Sequence, residues 1–352
     1  MPEILPFLKT LITSAGLSGH EEPVRKTIEE AWRPLVSELH VSNLGSLHGL
    51  KPGVLPQPRP SLLLAAHMDA IGLMVRSIAD GLLRVTGVGG LDPRVLPGQL
   101  VTVHGKKDLL GVIVQPPAFL LPAGVGEGAV PLEHLLVDTG CLPDEVKELV
   151  RAGDLVSFAQ TPLELGNDVL AGHSLDNRAS VAAVTACLQF LRGRETQWDV
   201  WVAATVQEEV GVKGAITSAF HLRPTLAVAV DVTFASGPGS PDSQTFPFGK
   251  GVTLGWGPNI HPALFQSFKE LADRLEIPYK MEAMPSHSGT DAFGLQVAAE
   301  GIPTMVLSIP LRYMHTPVEV VAIKDIERAG RLLAEFAASL APDFMEKITW
   351  DD

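Results

Sequence analysis

A chain of 352 residues exceeds one ordinary domain and predicts two. Hydrophobic residues at 46% can fill a substantial core, and 19% charged residues exclude a disordered chain. A net charge of −13, with no basic cluster longer than the Gly105–Lys106–Lys107 turn, argues against nucleic acid and anionic membranes as partners.

The opening MPEILPFLKTLITSAG reads as an amphipathic helix carrying Leu5, Leu8, Leu11 and Ile12. Its early Glu3, its Pro6 and the lack of a basic leader argue against a signal peptide. Residues 22–35 show helical periodicity with dense charge, and SLLLAAH (61–67) is a continuous apolar run, as in buried parallel strands. From 72 to 164 the texture changes to short β-like pieces (LLRVTGV, QLVTVHG, LLGVIVQ, DLVSFAQ) broken by Gly and Pro, with one helix-like stretch at 143–151. That pattern predicts a small β-barrel inserted into an α/β domain made of 1–71 and 165–352.

A helix over 178–191 follows, with Asp176 and Asn177 at its capping edge. Three further apolar runs, VWVAATV (200–206), TLAVAVDV (225–232) and TMVLSIP (304–310), read as strands, and 262–275 and 326–340 as amphipathic helices. The alternation predicts an α/β fold with a mixed, mainly parallel sheet flanked by helices. SGPGSPDSQ (236–244) reads as a mobile polar loop. Cys141 and Cys187 stand apart, form no disulfide framework and fit a reducing compartment. No apolar run approaches the roughly 20 residues of a membrane span, so the cytoplasm is the expected location.

The acids and histidines fall at telling places. His67 and Asp69 close the first apolar run, Glu208 and Glu209 follow the second, Asp231 ends the third, and His315 lies just past the fourth. Asp176 opens the helix after LAGHSLDNR. Open parallel sheets bind ligands at the carboxyl ends of their strands. Each residue alone has a plain reading as a strand end, a cap or a turn, and Glu21–Glu22 and Glu29–Glu30 read as solvated faces. Jointly they point to metal, because a charge at the end of a buried strand is costly unless paired or coordinated. His, Asp and Glu without Cys suit zinc, cobalt or manganese. One Asp carboxylate can bridge two ions about 3.5–4 Å apart, and the reaction still needs a base that is not a ligand. Adjacent Glu208 and Glu209 could divide those roles.

The set HMDAIGLMV, LDNR, QEEVGVKGA, VDVT, SGTDA and RYMHTPVE resembles the tetrahedral (glutamyl, deblocking) aminopeptidase family in order and spacing over nearly the whole chain. The resemblance implies an α/β metallopeptidase domain with an inserted β-domain and two divalent metal ions per subunit, zinc first among them. It implies that His67 and Asp231 hold one ion, Glu209 and His315 the other, and that Asp176 bridges them. Glu208 would be the general base, and Asp69 would orient His67. Short peptides are the implied substrates, and assembly from dimers into a hollow tetrahedral dodecamer the implied quaternary structure; our own expectation is that the 72–164 insert mediates it.

Two positions depart from the family pattern: Ala70 replaces the Glu of H-M-D-E-I-G, and Gly172–His173–Ser174–Leu175 replaces G-K-A-hydrophobic before Asp176. Neither removes an implied ligand; His173 reads as a neighbour of the site. Thr290, Asp291 and Arg312 resemble family positions near the substrate cleft, with Asp291 either holding the substrate ammonium or capping a loop. The remaining histidines, at 20, 40, 48, 104, 134, 221, 261 and 287, read as surface or cap residues. Lid-bearing carboxypeptidases and deacylases share the ligand types, but place their insertion between the third-strand ligand and the final His, where this chain has too few residues. A glucanase would leave the His and Asp ligands without a purpose. An inactive shell-forming relative is opposed by the full ligand set.

Overall fold

The computed structural model describes residues 4–125, 128–241 and 244–349; Glu3 and residues 242–243 of the polar loop lie outside them. Helix α1 (Ile4–Thr13) buries Ile4, Leu8, Leu11 and Ile12, one face of a helix. Helix α2 (Glu22–Trp32) has Pro23 in its first turn and buries Val24, Ile28 and Trp32. A hairpin of β1 (Glu38–Val41) and β2 (Leu47–Lys51) leads into β3 (Ser61–His67). Next come β4 (Gly72–Ala79), β5 (Leu82–Val88), β6 (Leu100–His104), β7 (Asp108–Val114), β8 (Leu136–Asp138), α3 (Pro143–Leu149) and β9 (Leu155–Phe158). The chain continues through β10 (Leu163–Leu165), β11 (Val169–Gly172), α4 (Leu175–Phe190), β12 (Asp199–Thr205), α5 (Lys213–Leu222) and β13 (Leu226–Phe234). It ends with β14 (Val252–Trp256), α6 (Pro262–Arg274), β15 (Tyr279–Ala283), α7 (Asp291–Gln296), β16 (Thr304–Arg312), β17 (Glu319–Ala322) and α8 (Ile323–Ser339).

The large sheet runs β1-β2-β12-β3-β13-β16-β17-β11-β10, with β14 and β15 added beside β16. Its centre, β12-β3-β13-β16, is parallel, and the outer pairings are antiparallel apart from β14 with β15. Helices α4 and α8 pack together over the central strands, while α5 and α7 pair and cover them from elsewhere. Strands covered on both faces can be apolar at every position, which is why the four runs read so clearly in the sequence. Leu62 to Ala65 are all fully buried. Helix α4 is itself interior, buried from Leu175 to Leu188. It needs close neighbours: a Cβ on Gly330 of α8 would lie 2.7 Å from Ala186 Cβ and 2.8 Å from Ala183 O.

Strands β4-β5-β8-β7-β6-β9 close into an antiparallel barrel. Its interior is a separate hydrophobic cluster including Leu73, Val85, Val101, Ile113, Val137 and Val156. Alternation along β6 and β7 points every second residue inward, and full closure leaves no sheet edge.

Several elements escape the sequence reading. Helices α5 and α7 and the strands β1, β2, β10, β11, β14, β15 and β17 had no distinct apolar run to mark them. Two residue readings need correction. Glu21 is not on a solvated face: it is 5% exposed and accepts hydrogen bonds from the Gly19 amide (2.7 Å) and the Gln207 amide (3.1 Å). His48 is fully buried, with Nε2 2.8 Å from Ser218 Oγ and Nδ1 3.1 Å from His40 Nε2. Burial first, and the neighbouring His40 and His221, push its pKa down to about 3. His261 does act as a cap, accepting from the Ala263 amide at the start of α6.

Candidate metal centre

The sheet registers align a polar row at the carboxyl ends of the parallel strands. Thr205 of β12 pairs with His67 of β3, and Asp231 of β13 pairs with Ser308 of β16, which pairs with Thr253 of β14. His67 Nε2 lies 3.9 Å from Asp231 Oδ1, joining the two halves of the row. Paired positions on neighbouring strands share a face, so these side chains project together.

Asp176 stands over this row, and its two oxygens point in different directions. Oδ1 is 3.2 Å from His67 Nε2, and Oδ2 is 3.4 Å from His315 Nε2. His315 Nε2 is also 3.8 Å from Glu209 Oε2, and Glu208 Oε2 is 3.9 Å from His67 Nε2. Some of the backbone strain in the chain falls next to these residues. Ser174, Gln207, Tyr313 and His315 all take left-handed conformations, with φ of 64, 56, 61 and 63°. Non-glycine residues adopt that region at a cost that persists where the surroundings enforce it. Here each strained position is a residue of the cluster or lies within two residues of one.

Asp69 is fully buried and ties three segments together. It accepts from Ser18 Oγ (2.6 Å) and from the Glu208 and Glu209 amides (3.0 and 3.2 Å), and lies 3.4 Å from His67 Nδ1. Burial opposes its charge, but the hydrogen bond and charge of His67 prevail and hold its carboxyl below the usual range.

Glu319, the last residue of RYMHTPVE and not among the expected site residues, performs a parallel task. It is 1% exposed; Oε2 accepts from the Asp176 amide (3.0 Å) and Oε1 from the His315 amide (3.1 Å). The signal available was its place four residues after His315 at the head of a β-branched strand. Arg178 of LDNR is likewise not among the expected site residues. It is buried and donates to the carbonyls of Met68, Leu11, Ser14 and Gly16, fastening α1 and the following turn beneath the site. The barrel also reaches the cluster: a Cβ on Gly90 would stand 3.1 Å from His315 Nδ1, and one on Gly89 3.3 Å from Glu209 Oε2.

The remaining expected positions lie around this centre. Thr290 caps α7 through the Ala292 amide, and Asp291, 2% exposed, accepts from Thr205 Oγ1 at one end of the polar row. Burial first raises the Asp291 carboxyl, to about 6. Arg312 is not in the cluster: Nε donates to the Ser236 carbonyl (2.9 Å) and the guanidinium lies over the Phe248 ring. His173 is buried against Phe158, and burial together with Arg178 pushes its pKa to about 3.

The donor set fits divalent cations. Tetrahedral bonds of about 2.0–2.1 Å place neighbouring donor atoms roughly 3.3 Å apart, near the separations around Asp176. His67, Asp176 and Glu209 present donor atoms all within 4.8 Å of one another. Glu209 Oε1 is buried and has no hydrogen-bond partner among the described residues. Burial, then repulsion from Asp176, lifts Glu209 to about 10, so its charge needs a compensating cation. His67, although burial disfavours its charge, is raised well above its ordinary value by Asp176, Asp69, Glu208 and Asp231. The cluster draws in positive charge from whatever source supplies it.

Comparison with known proteins identifies relatives of the whole chain. The family model described as M42 glutamyl aminopeptidase matches residues 45–332. A lysyl aminopeptidase of Pyrococcus furiosus is 34% identical over 96% of this chain and 97% of its own length. The solved structure of an aminopeptidase from Desulfurococcus kamchatkensis superposes with a TM-score of 0.91 at 32% identity, covering 99% and 98% of the two chains. A Pyrococcus horikoshii TET1 peptidase, described as able to assemble into a tetrahedron or a large octahedral shell, superposes with a TM-score of 0.83 at 30% identity, covering 96% and 100%. An α/β sheet with an attached barrel, a buried His–Asp–Glu cluster and a family match spanning most of the chain lead to one conclusion: this protein belongs to the M42 glutamyl aminopeptidase family and is a hydrolase of peptide bonds.

Proposed function

We propose that the chain removes single residues from the free N-termini of short peptides, using a dinuclear metal centre and a glutamate base. The observation that carries this reading is Asp176, with one oxygen toward His67 and the other toward His315. His67 and Asp231 would hold one divalent ion, Glu209 and His315 the other, and Asp176 would be shared. Zinc, cobalt and manganese all suit these donors. Two such ions supply Lewis acidity that polarises the scissile carbonyl and makes water a better acid.

The chain's own residues do the rest. Glu208 takes the proton of the attacking water and passes it to the leaving amine. Burial, with nearby Asp291, Asp69 and Asp176, lifts its carboxyl to about 7, where a group both accepts and donates near neutrality. Asp69 positions His67 and, through two amides, the base and Glu209 together. Glu319 fixes the backbones of Asp176 and His315. Asp291 contributes negative charge beneath the cleft, favouring a substrate ammonium; Thr290 holds the helix on which it sits, and Arg312 borders the same face further out.

Residues 1–71 and 165–352 form the catalytic unit in this reading, and 72–164 the insert that mediates assembly. Leu110, Phe119, Leu120 and Leu142 of the insert are each at least 65% exposed, apolar surface that self-association would cover. Sedimentation should therefore give a dimer or larger particle; a monomer at micromolar concentration rules that out. Among the described residues no helix is long and apolar enough to cross a membrane. Free Cys141 and Cys187 support a reducing, cytoplasmic setting.

The test is a panel of free and N-acetylated aminoacyl anilides, assayed before and after chelation and after re-adding zinc, cobalt or manganese. Metal-restored cleavage of the free-amine substrates alone is expected. Cleavage of blocked substrates only would make the protein a deacylase, and silence throughout would favour an inactive shell protein.

A further inference from the structure

A second group of imidazoles lies at the edge of the large sheet, two strands away from His67. His40 of β1 and His48 of β2 stand directly opposite each other in the hairpin, and His48 pairs in turn with Ala203 of β12. Cross-strand partners share a face, and here it is the face against which α5 sets Ser218. Ser218 and His221 are three residues apart on α5, so they lie on one side of that helix. Hairpin and helix thus gather three rings. Their centroids lie 4.9 Å apart for His40 and His48, 5.8 Å for His40 and His221, and 6.2 Å for His48 and His221.

These separations suit one shared ion. Three imidazoles bound tetrahedrally through bonds of about 2.0–2.1 Å have ring centroids roughly 5 Å apart. His40 Nε2 and His48 Nδ1 already face each other at 3.1 Å, close to the roughly 3.3 Å between neighbouring donors on such an ion. His48 Nε2 lies 2.8 Å from Ser218 Oγ, the kind of outer hydrogen bond that fixes the ring of a metal-bound histidine. His221 is the adjustable member. It is exposed in the last turn of α5, and neither ring nitrogen is hydrogen-bonded among the described residues. Burial first, then the neighbouring rings, lower the pKa of His40 and hold His48 at about 3, so both offer neutral nitrogens. The charge of Glu38, two residues before His40 on the same face of β1, favours a cation there. So do the carbonyls at the C-terminal end of α5.

We propose that His40, His48 and His221 form a structural site for one divalent ion of the zinc, nickel or copper class, separate from the catalytic centre. The ion takes the interval between His40 Nε2 and His48 Nδ1. The proton there moves to Nδ1 of His40, while Ser218 Oγ accepts from His48 Nε2. His221 turns inward as the third ligand, and water fills the fourth position on the exposed side. Strand β1 ends the sheet, so an ion at this place pins the edge hairpin to α5.

The probe is zinc alone, added to the full chain. Wild type, His221→Ala and His40→Gln are dialysed into the same zinc-buffered solution and their ions counted by elemental analysis. Wild type should carry one ion per chain more than either variant, whatever number the catalytic centre holds, and turnover of a free-amine anilide should be the same in all three. The difference of one ion should persist when Asp176→Asn is added to each protein, which keeps this site distinct from the dinuclear reading. In that background zinc should raise the melting temperature by at least about 3 °C more with His221 present than with alanine in its place. His221 is exposed, so its removal leaves the fold intact even where His40→Gln does not. Equal ion counts in wild type and His221→Ala overturn the proposal and leave a histidine cluster held by hydrogen bonds alone. An ion lost from His221→Ala together with turnover overturns it as well, because that ion would belong to the catalytic centre.

Discussion

Glu208→Gln should lower kcat by about 10²–10⁴ while leaving two metal ions bound per chain. The substitution keeps size and hydrogen-bonding shape but cannot accept a proton. Glu208 lies 3.9 Å from His67 Nε2, at the edge of the ligand cluster, and its backbone amide is anchored by Asp69. An amide there disturbs neither anchor. Metal content by elemental analysis and turnover of a free-amine anilide are the two readouts. Full activity would remove Glu208 from the mechanism. Loss of a metal together with activity would make it a ligand, and would pass the role of base to another group.

Asp176→Asn should act in the opposite order, with metal lost first and activity following. Only one oxygen remains to accept, so the carboxylate can no longer serve His67's side and His315's side at once. Elemental analysis after dialysis should find fewer than two ions, and activity should fall to background at metal concentrations that saturate wild type. The drop in metal affinity should exceed the roughly 10–100-fold expected from removing an outer hydrogen-bonding partner such as Glu319. A variant that retains two ions at wild-type affinity would show that Asp176 is not shared.

The parts of this molecule that were legible in the sequence share one physical trait. Where both faces are covered, as along β3, β12, β13 and β16, every position can be apolar, and the run announces itself. The barrel was legible for a different reason, its short alternating pieces separated by Gly and Pro. Strand β15 shows neither signal: YKMEA sits at an edge, and its one inward carboxylate looks like any surface glutamate until Thr233, Thr253 and Ser308 are seen around it. Helix α5 buries only Gly214, Ala215, Ser218 and Ala219, small residues that make a weak amphipathic stripe.

The clustering of these acids and histidines was legible because they punctuate the buried runs, where an acid or histidine needs a reason. Their supports were not. Glu21 and Glu319 are acids that accept hydrogen bonds from backbone amides, and nothing in local spacing separates such a residue from a solvated one. Arg178 satisfies four carbonyls contributed by residues up to 167 positions away, a relation set entirely by the fold. His48 shows the same limit, since its burial follows from the contact of β2 with α5 rather than from its neighbours in sequence.

The most direct test of the central claim is the crystal structure of zinc-loaded protein, with anomalous scattering recorded at the zinc edge. Two peaks about 3.5–4 Å apart, one beside His67 and Asp231 and the other beside Glu209 and His315, with Asp176 between them, are predicted. A single peak, or two that do not share Asp176, would contradict the dinuclear centre.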